Sequence, residues 1–251
     1  MQLNFKKLGQ GPKLIILHGL FGSLDNWMTF AKVMAEQHTV YLVDQRNHGN
    51  SPHAQDHNYE AMADDLLAFF EEHNIEEAKI IGHSMGGKTA MQFAAENPDK
   101  VVKLVVVDIA PKQYPVHHHE IIEALERVDL AALKSRGEAD AALQMSLKDI
   151  GVRQFLLKGL ARSKEGFRWK FNLEVLKDQI ENVVAALDPQ LGYDGQSLFI
   201  RGALSNYIME KDTALIKNQF PEAHVVTIEN AGHWIHAEQP EAFLKAIQKF
   251  I

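Results

Sequence analysis

Residues 82–89 read Gly82-His83-Ser84-Met85-Gly86-Gly87-Lys88-Thr89, an octapeptide that satisfies two motifs of incompatible chemistry. As Gly-x-Ser-x-Gly it predicts a nucleophile elbow, with Ser84 raised on a strained turn between a strand and a helix. As Gly-x4-Gly-Lys-Thr it predicts a phosphate-cradling P-loop, with Lys88 and Thr89 serving a nucleotide and its Mg2+. Both motifs need a strand before and a helix after. Ala78-Lys79-Ile80-Ile81 is a short apolar run, and Lys88 to Glu96 is rich in Ala, Met and Phe without a breaker. The P-loop reading even has an acidic partner for Mg2+, because Leu104-Val105-Val106-Val107-Asp108 reads as an apolar strand ending in Asp.

The residues that follow the other expected strands decide between the two, since ligands of parallel sheets sit beyond the carboxyl ends of the strands. These are His18-Gly19-Leu20-Phe21-Gly22-Ser23, Asp44 to Gly49, Ser84, Asp108, Gly202 to Ser205, and Gly232-His233-Trp234. Serine, acid and histidine in that chain order are the order of triad partners in the α/β-hydrolase fold. A P-loop enzyme has no use for His233 or for the His18-Gly19 turn, and its phosphate loop usually follows the first strand. The hydrolase reading therefore prevails. Lys88 and Thr89 then fall in the first turn of the elbow helix, where Thr89 is expected to pack and Lys88 to reach solvent, a cationic pocket role being the alternative.

A serine hydroxyl is a weak nucleophile and needs a base in hydrogen-bond reach. Of the 13 histidines, His233 has the right position, after the last strand and beside Gly232. His18 is its rival and reads as a turn histidine bracing the oxyanion loop; His83 is expected to point away from Ser84. His117-His118-His119 reads as a solvated helix start, since contiguous histidines seldom have ligand spacing. The acid must fix the imidazole tautomer, and several positions compete. The usual place, after the strand that follows the helical block, holds Ser205, with Glu210 and Asp212 further on. Asp108 ends the preceding core strand and can reach the same histidine, so it is taken as the acid, with Ser205 as a second hydrogen-bonding partner. The N–H groups of Met85 and Leu20 are the expected oxyanion donors. Gly82 and Gly86 leave room for the tight turn. Asp44 and Arg46 are expected to pair with each other and take no part in chemistry.

Positioning these residues requires a parallel sheet with helices on both faces. Lys13–Leu17, Thr39–Val43, Gln196–Ile200 and Val225–Ile228 read as strands; Tyr59–His73 and Glu238–Phe250 read as helices. From Pro111 to about Leu191 the strand signals vanish. Four helical stretches are expected there, around 118–133, 138–149, 151–161 and 172–187, the last capped by Asn172. The expected architecture is thus an α/β-hydrolase core of residues 1–110 and 192–251, with residues 111–191 as an inserted helical lid. The 251 residues, 46% hydrophobic and 24% charged, suffice for such a core. A net charge of -7 argues against nucleic acid. The absence of cysteine excludes disulfides, thiolate metal sites and a Cys nucleophile. With neither a signal-peptide stretch nor a membrane-spanning run, a cytoplasmic protein without membrane attachment is expected.

His18 to Ser23 with Asn26-Trp27, then Asp44-x-Arg46-Asn47-His48-Gly49-x-Ser51-Pro52, then Gly82 to Lys88, resemble the bacterial ybfF-type esterases. Val107 to Pro111, Arg168-Trp169-Lys170-Phe171-Asn172 and Ala231 to Trp234 carry the resemblance across nearly the whole chain, and Asn47-His48 makes it more specific than a fold match. The resemblance implies an esterase acting on small acyl esters, with fatty acyl-CoA thioesters as candidate substrates, and no cofactor or metal. It also implies the acid at Asp108 and a serine at Ser205. Trp169 and Phe171 would line an acyl crevice, or else simply pack the lid on the core. Two other functions share these residues: a lyase or C–C bond hydrolase on the same triad, and a slowly hydrolysing ligand receptor.

Overall fold

A computed structural model describes residues 1–116, 118–164 and 166–251. The first part of the chain builds most of a sheet: β1 (Phe5–Leu8), β2 (Lys13–Leu17), α1 (Met28–Met34), β3 (Thr39–Val43), α2 (Tyr59–Glu72), β4 (Ala78–His83), α3 (Met85–Glu96) and β5 (Val101–Val107). Next come α4 (His119–Glu126), α5 (Arg136–Gln144), α6 (Ile150–Lys158), the hairpin β6 (Leu160–Ser163) and β7 (Gly166–Trp169), α7 (Leu173–Asp178) and α8 (Ile180–Val184). The chain returns through β8 (Ser197–Gly202), α9 (Thr213–Gln219), β9 (Ala223–Ile228), α10 (Ile235–Glu238) and α11 (Pro240–Phe250).

Among the described residues the main sheet has seven strands in the order β1-β3-β2-β4-β5-β8-β9. Only β1 runs antiparallel. The central strands are apolar on both faces because helices cover both. Side chains alternate along a strand, so Ile15, Leu17, Ile80, Leu104 and Val106 face Met62, Leu66, Phe70 and Phe93 of α2 and α3. Leu14, Ile16, Ile81, Val105 and Val107 face Trp27, Phe30, Phe243 and Ile247 on the opposite side. The carboxyl ends of β2, β4, β5 and β8 consequently lie in register at one rim, where Leu17 pairs with Gly82 and Val107 with Ile200.

Residues 111–191 differ from expectation in two ways. The sequence pattern does not predict the β6–β7 hairpin, although Phe167 and Trp169 are buried and Arg168 between them is exposed, the alternation of a half-buried strand. The helices are also shorter: the stretch from 118 stops at Glu126, and the last divides at Gln179 into α7 and α8. Asn172 does cap α7, accepting from Val175 N–H at 3.5 Å. Among the described residues no helix is long and apolar enough to cross a membrane.

Candidate active site

β4 ends at His83 and α3 starts at Met85, so Ser84 alone makes the turn, at φ 53 and ψ -119. A non-glycine residue held there costs ~1–3 kcal/mol and persists only when its surroundings fix it. They do: Ser84 N–H donates to Val107 O at 3.0 Å, while Ser84 O accepts from Gly87 and Lys88 N–H at 2.8 and 3.1 Å. A Cβ at Gly82 would lie 2.1 Å from Gly86 O, and one at Gly86 would lie 2.5 Å from His18 O. Gly82 is therefore needed for α3 to close against the end of β4, and Gly86 for the turn to sit against the end of β2.

The same geometry disposes of the P-loop. Lys88 does not reach solvent as expected; it is fully buried. Its ammonium donates to the backbone carbonyls of Lys112 (2.9 Å), Val184 (3.4 Å) and Ala185, leaving nothing to offer a phosphate. Thr89 packs as expected, its hydroxyl donating to Met85 O at 3.2 Å. A buried cation paired with carbonyls is rare enough that exposure is the natural expectation from sequence.

Asp108 follows β5 directly, in the left-handed region at φ 51, and is wholly buried. Its Oδ2 accepts from His233 Nδ1–H at 2.8 Å and from the Ser205 hydroxyl; its Oδ1 accepts from Gly202 N–H at 3.2 Å. Holding the proton on Nδ1 leaves Nε2 of His233 as the ring's proton acceptor. Tyr207 stacks on that ring with centroids 3.9 Å apart and planes at 18°. The His233 carbonyl accepts from His83 Nε2–H at 2.9 Å. The structure thus brings Asp108, Ser205 and His233 together, and places the other acids elsewhere. The Glu210 side chain is 92% exposed. Asp212 accepts from Met209 N–H and Lys112.

Ser84 and His233 line one cavity of about 220 Å³ together with Leu20 and, from residues 111–191, Ile121, Val152 and Phe155. His83 lines it too. Wider openings of about 600 and 750 Å³ adjoin it, and His233 borders both. Among the described residues, the N–H groups of Leu20 and Met85 have no protein acceptor. Trp169 and Phe171 are not among the residues that line this cavity. They stack on each other at 5.4 Å, and Phe171 packs on Phe21 at 5.2 Å. The cavity's aromatic walls are Phe21, Phe155, Tyr207 and Trp234 instead.

The loop below this cavity departs from expectation at one pair. Asp44 and Arg46 do not pair with each other: Arg46 Nε binds Asp65 Oδ2 at 2.6 Å, reaching toward α2. Asp44 instead accepts from Leu24 N–H, Asn50 N–H and the Asn4 side chain. His18 braces the turn as expected, with Nδ1 bonded to Gly19 O at 2.8 Å and Nε2 accepting Gln45 N–H at 3.0 Å. His48, quoted only as part of a motif, has a specific contact: Nε2 accepts Phe21 N–H at 3.1 Å and Nδ1–H donates to Arg46 O at 2.9 Å. Burial pushes both histidines below their ordinary value, so both are neutral braces. His117 of the histidine run lies outside the described residues; His118 borders the cavity and His119 opens α4. Among the described residues no group of three or more His, Asp or Glu is placed to hold a metal.

Comparison with known proteins agrees with this architecture. Residues 12–142 match the family model described as alpha/beta hydrolase fold. The chain is 41% identical to Esterase YbfF of Escherichia coli, over 95% of this chain and 92% of that protein. It is 38% identical to the mouse sn-1-specific diacylglycerol lipase ABHD11, over 96% of this chain and 81% of that one. A solved structure titled marine microorganism esterase superposes with a TM-score of 0.97 at 45% identity, covering 100% of this chain and 99% of that one. The chain belongs to the alpha/beta hydrolase family, in the company of esterases and lipases.

Proposed function

We propose that the protein is a cofactor-free serine hydrolase of carboxylic esters that works through an acyl-Ser84 intermediate. In this reading His233 Nε2 takes the Ser84 hydroxyl proton as Oγ attacks the acyl carbon. The N–H groups of Leu20 and Met85 receive the oxyanion, each such donor lowering the barrier by ~2.7–4 kcal/mol. As the tetrahedral intermediate collapses, His233 returns the proton to the leaving group and the acyl chain stays on Ser84. Water, deprotonated by His233, then attacks the acyl carbon and releases the acid. Asp108 holds the imidazole tautomer and stabilises the imidazolium, and Ser205 supplies a further donor to the same carboxylate.

The observation that carries this reading is the Asp108–His233 hydrogen bond of 2.8 Å at the wall of the cavity that holds Ser84. Residues 111–191 act here as the lid, a reading supported by Ile121, Val152 and Phe155 lining that cavity. Its apolar walls suit an acyl chain. At about 220 Å³ it is smaller than sites that enclose a whole drug-sized ligand, so the leaving group extends into an adjoining opening. An oxygen or a sulfur leaving atom fits the same scheme, which admits acyl thioesters. The names of the esterase and lipase relatives support the ester class. The test is a panel of p-nitrophenyl esters and acyl-CoAs of increasing chain length, assayed with wild type and Ser84→Ala. Turnover that disappears in the variant is the expected result; turnover that survives it would refute the scheme.

A further inference from the structure

The Gly-Lys-Thr half of the elbow motif has no part in acyl transfer, yet its lysine is wholly buried and hydrogen-bonded. Lys88 lies one turn into α3, its N–H bonded to Ser84 O at 3.1 Å, and its side chain has no solvent exposure. An ammonium has three donors, and three carbonyls receive them: Lys112 O at 2.9 Å, Val184 O at 3.4 Å and Ala185 O. The rings of Tyr59 and Tyr114 stand 5.5 and 5.0 Å from the nitrogen.

Those carbonyls come from two separate pieces of chain. Lys112 lies where the polypeptide leaves the end of β5, and Val184 and Ala185 where α8 hands it back towards β8. The two crossings are also bonded to each other, Tyr114 N–H to Val184 O at 2.9 Å and Leu187 N–H to Pro111 O at 3.1 Å. The Tyr59 hydroxyl of α2 adds a bond to Val183 O at 2.5 Å. Packing alone would be served by methionine, which needs no carbonyls. A side chain with every donor aimed at this neck is placed to hold it.

We propose that Lys88 is a positioning residue that fastens both chain crossings of residues 111–191 to the helix bearing Ser84, and thereby fixes how Ile121, Val152 and Phe155 stand over the serine. Its effect on turnover rests on the acyl-Ser84 reading; the fastening does not.

The charged and titratable groups around Lys88 are few. Lys112, on the first crossing, is itself paired with Asp212. Tyr59 and Tyr114 remain protonated, since burial raises both. Burial first, and Lys112 second, bring Lys88 down from its ordinary 10.5 to about 7.

Amide hydrogen exchange, corrected for intrinsic rates, tests this on the full chain alongside steady-state kinetics with p-nitrophenyl acetate and a long-chain p-nitrophenyl ester. Lys88→Met is expected to raise exchange at the Tyr114 and Leu187 amides by about tenfold or more, with β4 and β5 unchanged. KM for the long-chain ester should rise roughly tenfold while kcat for acetate stays within about threefold. Neck amides as protected in the variant as in wild type, or equal losses on both esters, would overturn the proposal. If Lys88→Met does not fold, Lys88→Gln, whose amide keeps two donors, decides: exchange at the two neck amides raised above wild type supports the fastening, and unchanged exchange refutes it. If wild type hydrolyses neither ester, the acyl-Ser84 reading fails while the exchange data still judge the fastening.

Discussion

His233 and the pair His18–His48 both follow strands of the same rim, yet their surroundings make opposite use of the imidazole. In His18 and His48 each ring nitrogen is committed to a backbone group, one donating and one accepting, and burial keeps the ring neutral. His233 has one nitrogen on a buried carboxylate and a side chain 16% exposed at the cavity wall. The contrast teaches that a base is made by unequal partners on its two nitrogens. Equal commitment of both nitrogens to backbone makes a strut.

The sharpest way to break this comparison is to remove the inequality. Asp108→Asn is expected to lower kcat by a factor on the order of 10^4, because an amide no longer enforces the Nδ1–H tautomer. Glu210→Gln, measured in the same ester assay, should stay within about threefold of wild type. Reversed results would transfer the acid's role to the residues after β8.

A smaller effect is expected from the strut. His48→Leu removes the acceptor of Phe21 N–H and leaves a buried donor unpaired, at a cost of ~1–3 kcal/mol. Since that turn carries the Leu20 N–H, kcat should fall roughly 10- to 100-fold with little change in KM. His48→Gln, which keeps an acceptor, should recover part of the loss. Equal activity in His48→Leu and wild type would show that the turn needs no brace.

The smallest effect concerns stability alone. His236 stacks on Trp27 at 4.0 Å, and burial, then Lys158, push it down to about 3; burial and Arg46 push His57 down to about 4. Both folded values lie below the ordinary 6.5, so their contribution is fully present above about pH 6.5 and drains away as pH falls towards 4 and 3. Thermal melts between pH 8 and pH 4 should show Tm falling below about 6.5, and less steeply in His236→Phe. A variant with the same slope as wild type would remove His236 from the account.

How much of this was legible in the sequence depended on burial. β2 and β3 were read to the residue because strands covered on both faces are unbroken apolar runs. β1 carries no such signal: in Phe5-Lys6-Lys7-Leu8 the two lysines are exposed and no position is fully buried. The β6–β7 hairpin was lost for a like reason, since only Leu160 of β6 is buried. At the site, Ser84, Asp108 and His233 could be named because each directly follows a strand or its loop at the same rim. The same logic could not see Lys88, whose carbonyl partners lie 24 and more residues away in sequence. Nor could it separate Trp169 and Phe171 from a cavity wall, because that distinction rests on how residues 111–191 dock.

The central claim is that one hydroxyl is activated by one imidazole. A fluorophosphonate probe followed by peptide mass analysis tests it most directly. The account predicts a single stoichiometric adduct on Ser84 in folded wild type, slowed at least about 100-fold in His233→Ala. An unlabelled protein, or an adduct on Ser84 that forms as fast without His233, would contradict it.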